Sequence, residues 1–326
     1  MIERKDISIL FPLYIVAILI SSIGFGRIFE DSISYLALVD WFRGGGELVP
    51  PFCYRPTIPL IASFLPIDPV LSISIISLGF LLALTTMIYL ICVQIGVSKQ
   101  SAFIATLIAT ISYPVMTYGA VVLLDSSYIF FMSLAVYLML HPKTRDKWYI
   151  ILVVIMVGVW FKESAAFASL AYIFYRRNWR QAPFFIIGPA LSYVGCRLFI
   201  GMLTMEGAQD FWIPRLGHFI EGLPLTAQYL GVSLVGFSWI LIAFLFSKIQ
   251  KEHYRWLLSV GGAMSLLSVY AMTSASFDGR FVWPVYLMLT PLAGLIIDDL
   301  IEKYVHGKKN DEAESIPNNQ NDREGA

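Results

Sequence analysis

The sequence predicts an all-α polytopic membrane protein of about ten transmembrane helices, with an amphipathic helix lying at the interface after the first span. Three observations lead there. Of its 326 residues 57% are hydrophobic and only 14% charged, where a water-soluble domain carries roughly 25% charged residues; the mean hydropathy is +0.70. Apolar runs approaching the ~20 residues that cross a bilayer recur along the chain. Finally, the Lys and Arg residues are sorted between the connections in the way that sets membrane orientation.

The spans fall at about 8–26, 70–95, 101–119, 124–140, 148–161, 164–175, 182–204, 228–247, 256–275 and 282–300. The first has no small-residue cleavage pattern and is read as a retained anchor. Cationic clusters punctuate the series at Arg4/Lys5, Lys99, Lys143/Arg145/Lys147, Arg176/Arg177/Arg180, Lys248/Lys251/Arg255 and Lys303 through Lys309. Ten spans put all of these, with Arg323, on one side: 16 Lys/Arg on the face expected to be cytoplasmic, which also carries both termini. Six lie on the other face (Arg27, Arg43, Arg55, Lys162, Arg215, Arg280), and Arg197 lies within a span. Residues 1–306 form the transmembrane unit, and the polar tail 307–326 reads as disordered in the cytoplasm. The chain has no Asn-x-Ser/Thr sequon, which favours a bacterial or archaeal cytoplasmic membrane. Cys53, Cys92 and Cys196 show no metal-ligand spacing. No nucleic-acid partner is expected.

The outer face carries the chemistry. Its longest connection, 27–69, holds Arg27, Arg43 and Arg55 together with Glu30, Asp31, Asp40 and Glu47. Within it Asp31–Phe42 fits a short amphipathic helix with Ile33, Leu36, Ala37, Asp40 and Trp41 on one face, ended by Gly44-Gly45-Gly46. The run IPLIASFLP is too short to span and reads as a re-entrant or interfacial helix. Glu30 and Asp31 are also the residue types that simply favour a helix N-terminus. Lys162-Glu163 separates two apolar runs, the first of which is only about 21 Å long against a hydrocarbon core of about 30 Å. Ionisable groups at that depth are costly and usually face a cavity or partner; the plain alternative is a mutual ion pair closing a helical hairpin. Asp125 opens the fourth span, where an N-cap is the plain alternative. Asp278-Gly279-Arg280 turns the chain before the last span; an Arg placed there suits a phosphate. Arg197 either snorkels or pairs with a carboxylate. The loop 205–227 contributes Glu206, Asp210, Trp212, Arg215, His218 and Glu221. HExxH, GxSxG, P-loop and GxGxxG patterns are missing from plausible contexts.

These features, in their order and placement, resemble the GT-C superfamily of polytopic glycosyltransferases, which use polyprenyl- or dolichyl-phosphate-linked sugars. A carboxylate follows the first span in an Asp-x-x-x-Tyr run, here Asp31 and Tyr35, with Leu38 at the family's Ala place and Ala37 one position early. A Tyr-Arg-Pro-x-x-Pro-Leu segment runs from Tyr54 to Leu60, and Asp125 opens a later outer hairpin. Lys162-Glu163 lies between two short spans, and an Arg-x-x-x-Pro element runs from Arg280 to Pro284. The first carboxylate is Glu30-Asp31 rather than Asp-Glu, which leaves open which of the two acts.

The resemblance implies an inverting transfer at the non-cytoplasmic face to a glycan, lipid or protein acceptor. Asp31, or Glu30, would be the general base. Lys162, Arg280 and Arg55 would hold the donor phosphate. Glu163, Asp125, Tyr35 and Asp278 would orient these groups or the sugar. Tyr35, Trp41, Trp212 and Trp283 could stack on it, although interfacial anchoring explains them equally well. The donor's prenyl chain would lie among the spans and membrane lipid. No cofactor is fixed by the sequence; the outer carboxylates could hold a divalent cation, but no spacing sets one. Two other readings compete: a transporter or lipid-linked sugar flippase, which calls for mid-membrane charges and repeat symmetry, and a noncatalytic membrane assembly factor.

Overall fold

The computed structural model describes residues 4–50, 52–201, 257–274, 280 and 283–306. The described residues contain helices and no strands. In chain order they are α1 (Arg4–Ser22), α2 (Glu30–Phe42), a 3-10 turn (Phe52–Tyr54), α3 (Thr57–Ser63), α4 (Pro69–Gln94), α5 (Lys99–Thr110) and α6 (Tyr113–Tyr118). There follow α7 (Asp125–Leu140), α8 (Trp148–Phe161), a 3-10 turn (Glu163–Ala166), α9 (Phe167–Arg176) and α10 (Ala182–Ile200). Beyond these come α11 (Gly262–Ser274), entered through a π turn, and α12 (Trp283–Ile301).

Among the described residues three helices are long and apolar enough to cross a membrane: Pro69–Gln94, Ala182–Ile200 and Trp283–Tyr304. The outer face of α10 shows what surrounds the protein. Phe184, Ile187, Leu191, Val194 and Leu198 recur at helical spacing and are all exposed, an apolar stripe that suits lipid and not water. The chain is a membrane protein.

α4 is the central post, packed on α1, α3, α5, α7 and α12. Its start is sharply set: Asp68 Oδ1 accepts from the backbone N–H of Val70 (2.9 Å) and Leu71 (3.1 Å), and Pro69 occupies the first turn. Two expected spans are interrupted. The run 101–119 is broken into α5 and α6, with Pro114 in the first turn of α6, because proline cannot supply a mid-helix N–H and drives its neighbour out of helical geometry. The run 164–175 opens with the 3-10 turn, leaving α9 with 10 residues, only about 15 Å of rise. The span 228–247, the loop 205–227, Asp278 and the tail 307–326 lie outside the described residues.

α2 forms where the sequence places it, and polar as well as apolar residues pack inward from it. Its buried residues are Ser32, Tyr35, Leu38 and Val39, while Ile33 and Asp40 are exposed. Hydrogen bonds hold the buried polar residues in place. Ser32 Oγ accepts the Phe29 N–H at 2.8 Å, and Tyr35 turns inward to an arginine. Gly44 and Gly46 take φ of +93° and +75° at the end of this helix, where a side chain would be strained. Arg43 then reaches back to the carbonyls of Leu65 (2.8 Å) and Ile67 (3.0 Å), tying α2 to the end of α3.

Candidate active site

At the end of the bundle where α1, α8 and α3 finish or turn, six ionisable side chains form paired contacts. Asp125 is the first residue of α7 and is buried. Its Oδ1 accepts from Lys162 Nζ at 2.6 Å. The residue that caps α7 is Leu124, so the N-cap alternative for Asp125 does not hold; Ser126 and Ser127 donate to the carbonyls of Gly119 and Leu124 instead. Lys162 terminates α8 in extended backbone (φ −162°, ψ 134°), which aims its side chain across to α7, with Nζ also 4.7 Å from the Tyr128 ring centre.

The neighbouring Glu163 goes elsewhere. It receives a two-pronged contact from Arg55, Nε to Oε2 at 2.8 Å and Nη2 to Oε1. Arg55 Nη1 donates to the Tyr35 hydroxyl at 2.7 Å, so Tyr35 holds the guanidinium in place. The Lys162–Glu163 hairpin pair is thereby excluded: each partner binds a different residue from a distant part of the chain. Burial alone would raise the Glu163 carboxyl, but the Arg55 charge and its hydrogen bonds outweigh that and hold it below the usual carboxylate range. Burial pushes the Tyr35 phenol well above its ordinary value, so it remains a neutral hydroxyl beside Arg55.

Arg280 links α2 to this cluster. Its Nη1 donates to Asp31 Oδ2 at 2.7 Å and lies 4.0 Å from Asp125 Oδ2. Residues separated by 249 positions are joined directly. Asp31, Arg280, Asp125 and Lys162 thus form one continuous chain of opposite charges, with Arg55–Glu163 beside it. The three cations and three carboxylates cancel.

The packing beneath is tight. A Cβ on Gly158 would come 2.8 Å from Phe131 Cβ and 2.9 Å from Ala165 Cβ, so glycine lets α8 approach both α7 and the turn that carries Glu163. Thr57 Oγ1 donates to the Trp160 carbonyl at 2.9 Å, which pins α3 to the end of α8. An apolar cavity of about 550 Å³ begins at Glu163 and Ser164 and runs among α8, α9, α10 and α11, past Phe167, Leu170, Pro189 and Tyr270.

Of the residues singled out from sequence, Asp31, Arg55, Asp125, Lys162, Glu163, Arg280 and Tyr35 are brought together. Glu30 is exposed at the start of α2. Trp283 is fully buried and presents no open stacking surface, whereas Trp41 meets Phe42 edge-on and is partly exposed. Arg197 stacks on the rings of Tyr54 (4.3 Å) and Tyr193 (4.9 Å). Tyr128, beneath Lys162, was not singled out; it lies one helical turn after Asp125, and that spacing was the available signal. Among the described residues no three His, Cys, Asp or Glu side chains gather as a metal-ion set.

The described residues thus form a helical membrane bundle with a buried acid–base chain at one end. A family model described as dolichyl-phosphate-mannose-protein mannosyltransferase matches residues 58–179, which supports the GT-C resemblance. The matched stretch holds Asp125, Lys162 and Glu163, while Asp31, Arg55 and Arg280 come from outside it. No significant match to a curated protein or to a solved structure was found.

Proposed function

We propose that this protein is a membrane glycosyltransferase that moves a sugar from a dolichyl- or polyprenyl-phosphate donor to a hydroxyl acceptor, with inversion, on the face opposite its cationic clusters. The observation that carries this reading is the convergence of Asp31, Arg280, Asp125 and Lys162 from four separate parts of the chain. Asp31 is the natural base, because its carboxylate is partly open to solvent, with 24% of the side chain exposed, whereas Asp125 has 1%. The acceptor oxygen attacks the anomeric carbon as its proton passes to Asp31. The bond from that carbon to the phosphate oxygen breaks, and its electron pair leaves with the prenyl phosphate. Lys162 and Arg280 meet the charge that grows on that phosphate. Arg55, fixed by Glu163 and Tyr35, supplies a third positive group at the mouth of the apolar cavity, which suits the first part of a prenyl chain. Glu30, exposed and one residue away, is the lesser candidate for the base.

The competing carrier reading calls for charges at mid-depth with access from both sides; here they gather at one end of the bundle. The test uses purified full-length protein in liposomes containing dolichyl-phosphate mannose, with release of dolichyl phosphate as the readout. Asp31→Asn lowers turnover by ~10²-fold or more, while Glu30→Gln leaves most of it. Equal turnover in Asp31→Asn and unaltered protein would overturn the assignment of the base; no turnover in any variant, with tight protein binding to other membrane partners, would favour the assembly-factor reading.

A further inference from the structure

Arg280 stands between two carboxylates, and only one of them holds it. Its Nη1 lies 2.7 Å from Asp31 Oδ2, a strong hydrogen bond, and 4.0 Å from Asp125 Oδ2, beyond hydrogen-bond reach. Asp125 binds Lys162 through Oδ1 alone. Its Oδ2 is buried and has no hydrogen-bond partner among the described residues. A buried carboxylate oxygen without a donor is unusual. This one faces a guanidinium that need move only about 1 Å to reach it.

On the sugar-transfer reading of this site, the arrangement has a difficulty. While Arg280 donates to Asp31 Oδ2, it takes one lone pair of that oxygen and competes with an acceptor hydroxyl for the carboxylate. We propose that Arg280 is handed from Asp31 to Asp125 when the donor phosphate enters, so that Asp125 acts as a positioning residue that uncovers the base. Charge bookkeeping drives the exchange. Among the described residues the three cations and three carboxylates of the cluster balance, and an entering phosphate draws the ammonium of Lys162 towards itself. Asp125 then sits buried without its cation, a state proteins avoid. Arg280 is the replacement at 4.0 Å. Its departure leaves Asp31, the more exposed carboxylate, free to take the acceptor hydroxyl. Arg280 therefore competes for the base until donor is bound, which favours donor-first binding and slows idle reaction at an empty site.

The first measurement is a cryo-EM structure of the unaltered full chain in nanodiscs with dolichyl phosphate. The expected result is a contraction of Arg280 Nη1 to Asp125 Oδ2 to about 3 Å, with the Asp31 contact lengthened beyond hydrogen-bond range. Bound dolichyl phosphate with Arg280 still on Asp31 overturns the handover alone. Failure of dolichyl phosphate to bind overturns both the handover and the sugar-transfer reading beneath it. The second measurement is kinetic, on dolichyl-phosphate mannose hydrolysis. Asp125→Asn lowers kcat by about tenfold or more with KM changed less than about threefold, and Asp125→Glu restores part of kcat. A parallel loss in both parameters, unrelieved by glutamate, marks a purely structural Asp125 and overturns the proposal. Should Asp125→Asn not fold, the lipid-bound structure of the unaltered chain decides.

Discussion

The two ends of the helical bundle use the same residue types to opposite effect. At one end Arg55, Lys162 and Arg280 are largely buried against Glu163, Asp125 and Asp31. At the other, Asp146 receives Arg176 at 2.8 Å and Arg145 at 3.6 Å, but 72% of its side chain is exposed. Water and salt screen the second group, so its pairs contribute little. The first group is costly to bury and strongly dependent on its partners. Such expense is commonly retained where a site needs charges fixed in place, and sequence distance offers no help in assembling it: the partners come from α2, α7, the end of α8 and the entry to α12.

The sharpest way to break this contrast is to remove one buried partner. Lys162→Met leaves Asp125 buried without its cation and is expected to cost about 3–5 kcal/mol. The double variant Lys162→Met/Asp125→Asn should recover much of that loss. Thermal unfolding in detergent, followed by intrinsic fluorescence, measures both; a fully additive double variant would show that the two groups are not coupled.

Packing comes next. Gly158→Val would force α8 away from Phe131 and Ala165 and should cost about 1–3 kcal/mol. Donor turnover should fall with it, because the same helix end carries Lys162. Unchanged stability would mean that α8 tolerates a larger separation from α7 than its close contact implies.

A smaller effect concerns acid. Glu163 has its carboxyl lowered by Arg55, so it contributes stability that is fully present above the ordinary carboxylate value of 4.5. That contribution is lost as pH falls from there through the lower folded value. Stability profiles of Glu163→Gln and the unaltered protein should therefore converge in acid, draw apart as pH rises towards about 4.5, and run parallel above it. Profiles that stay parallel throughout would rule out the Arg55 partnership.

The smallest change is expected at the opposite end. Arg176→Ala should shift stability by less than about 1 kcal/mol and leave turnover intact. A large loss there would erase the distinction between the two ends.

Much of the helical layout was legible from apolar run lengths. The structural helices at 69–94, 125–140, 148–161 and 182–200 follow them closely, because hydrophobic length and punctuation by Pro, Asp and Gly are local properties. Lys162-Glu163 and Asp125 stood out for the same reason: charges inside apolar sequence are conspicuous. Their pairing was not legible. Adjacent Lys and Glu suggested each other, but helix termination at Lys162 sends the two side chains to different neighbours. Apolar periodicity also could not show which face of α2 packs inward, because Ser32 and Tyr35 are held there by hydrogen bonds. Nor could sequence show that Arg43 caps carbonyls, or that Asp298 at the other end accepts from the Ser98 N–H (2.9 Å) and the Ser101 hydroxyl (2.7 Å).

The turn at Glu163–Ala166 shortens both helices that flank it, leaving 14 residues in α8 and 10 in α9. Neither reaches across a hydrocarbon layer about 30 Å thick on its own. On the proposed reading, the charged cluster beside this turn would then lie below the plane of the lipid headgroups. A sugar phosphate attached to a long isoprenoid would, on that reading, reach the charges while its tail remains in oil, so the polar head need not be hauled up into bulk water to react.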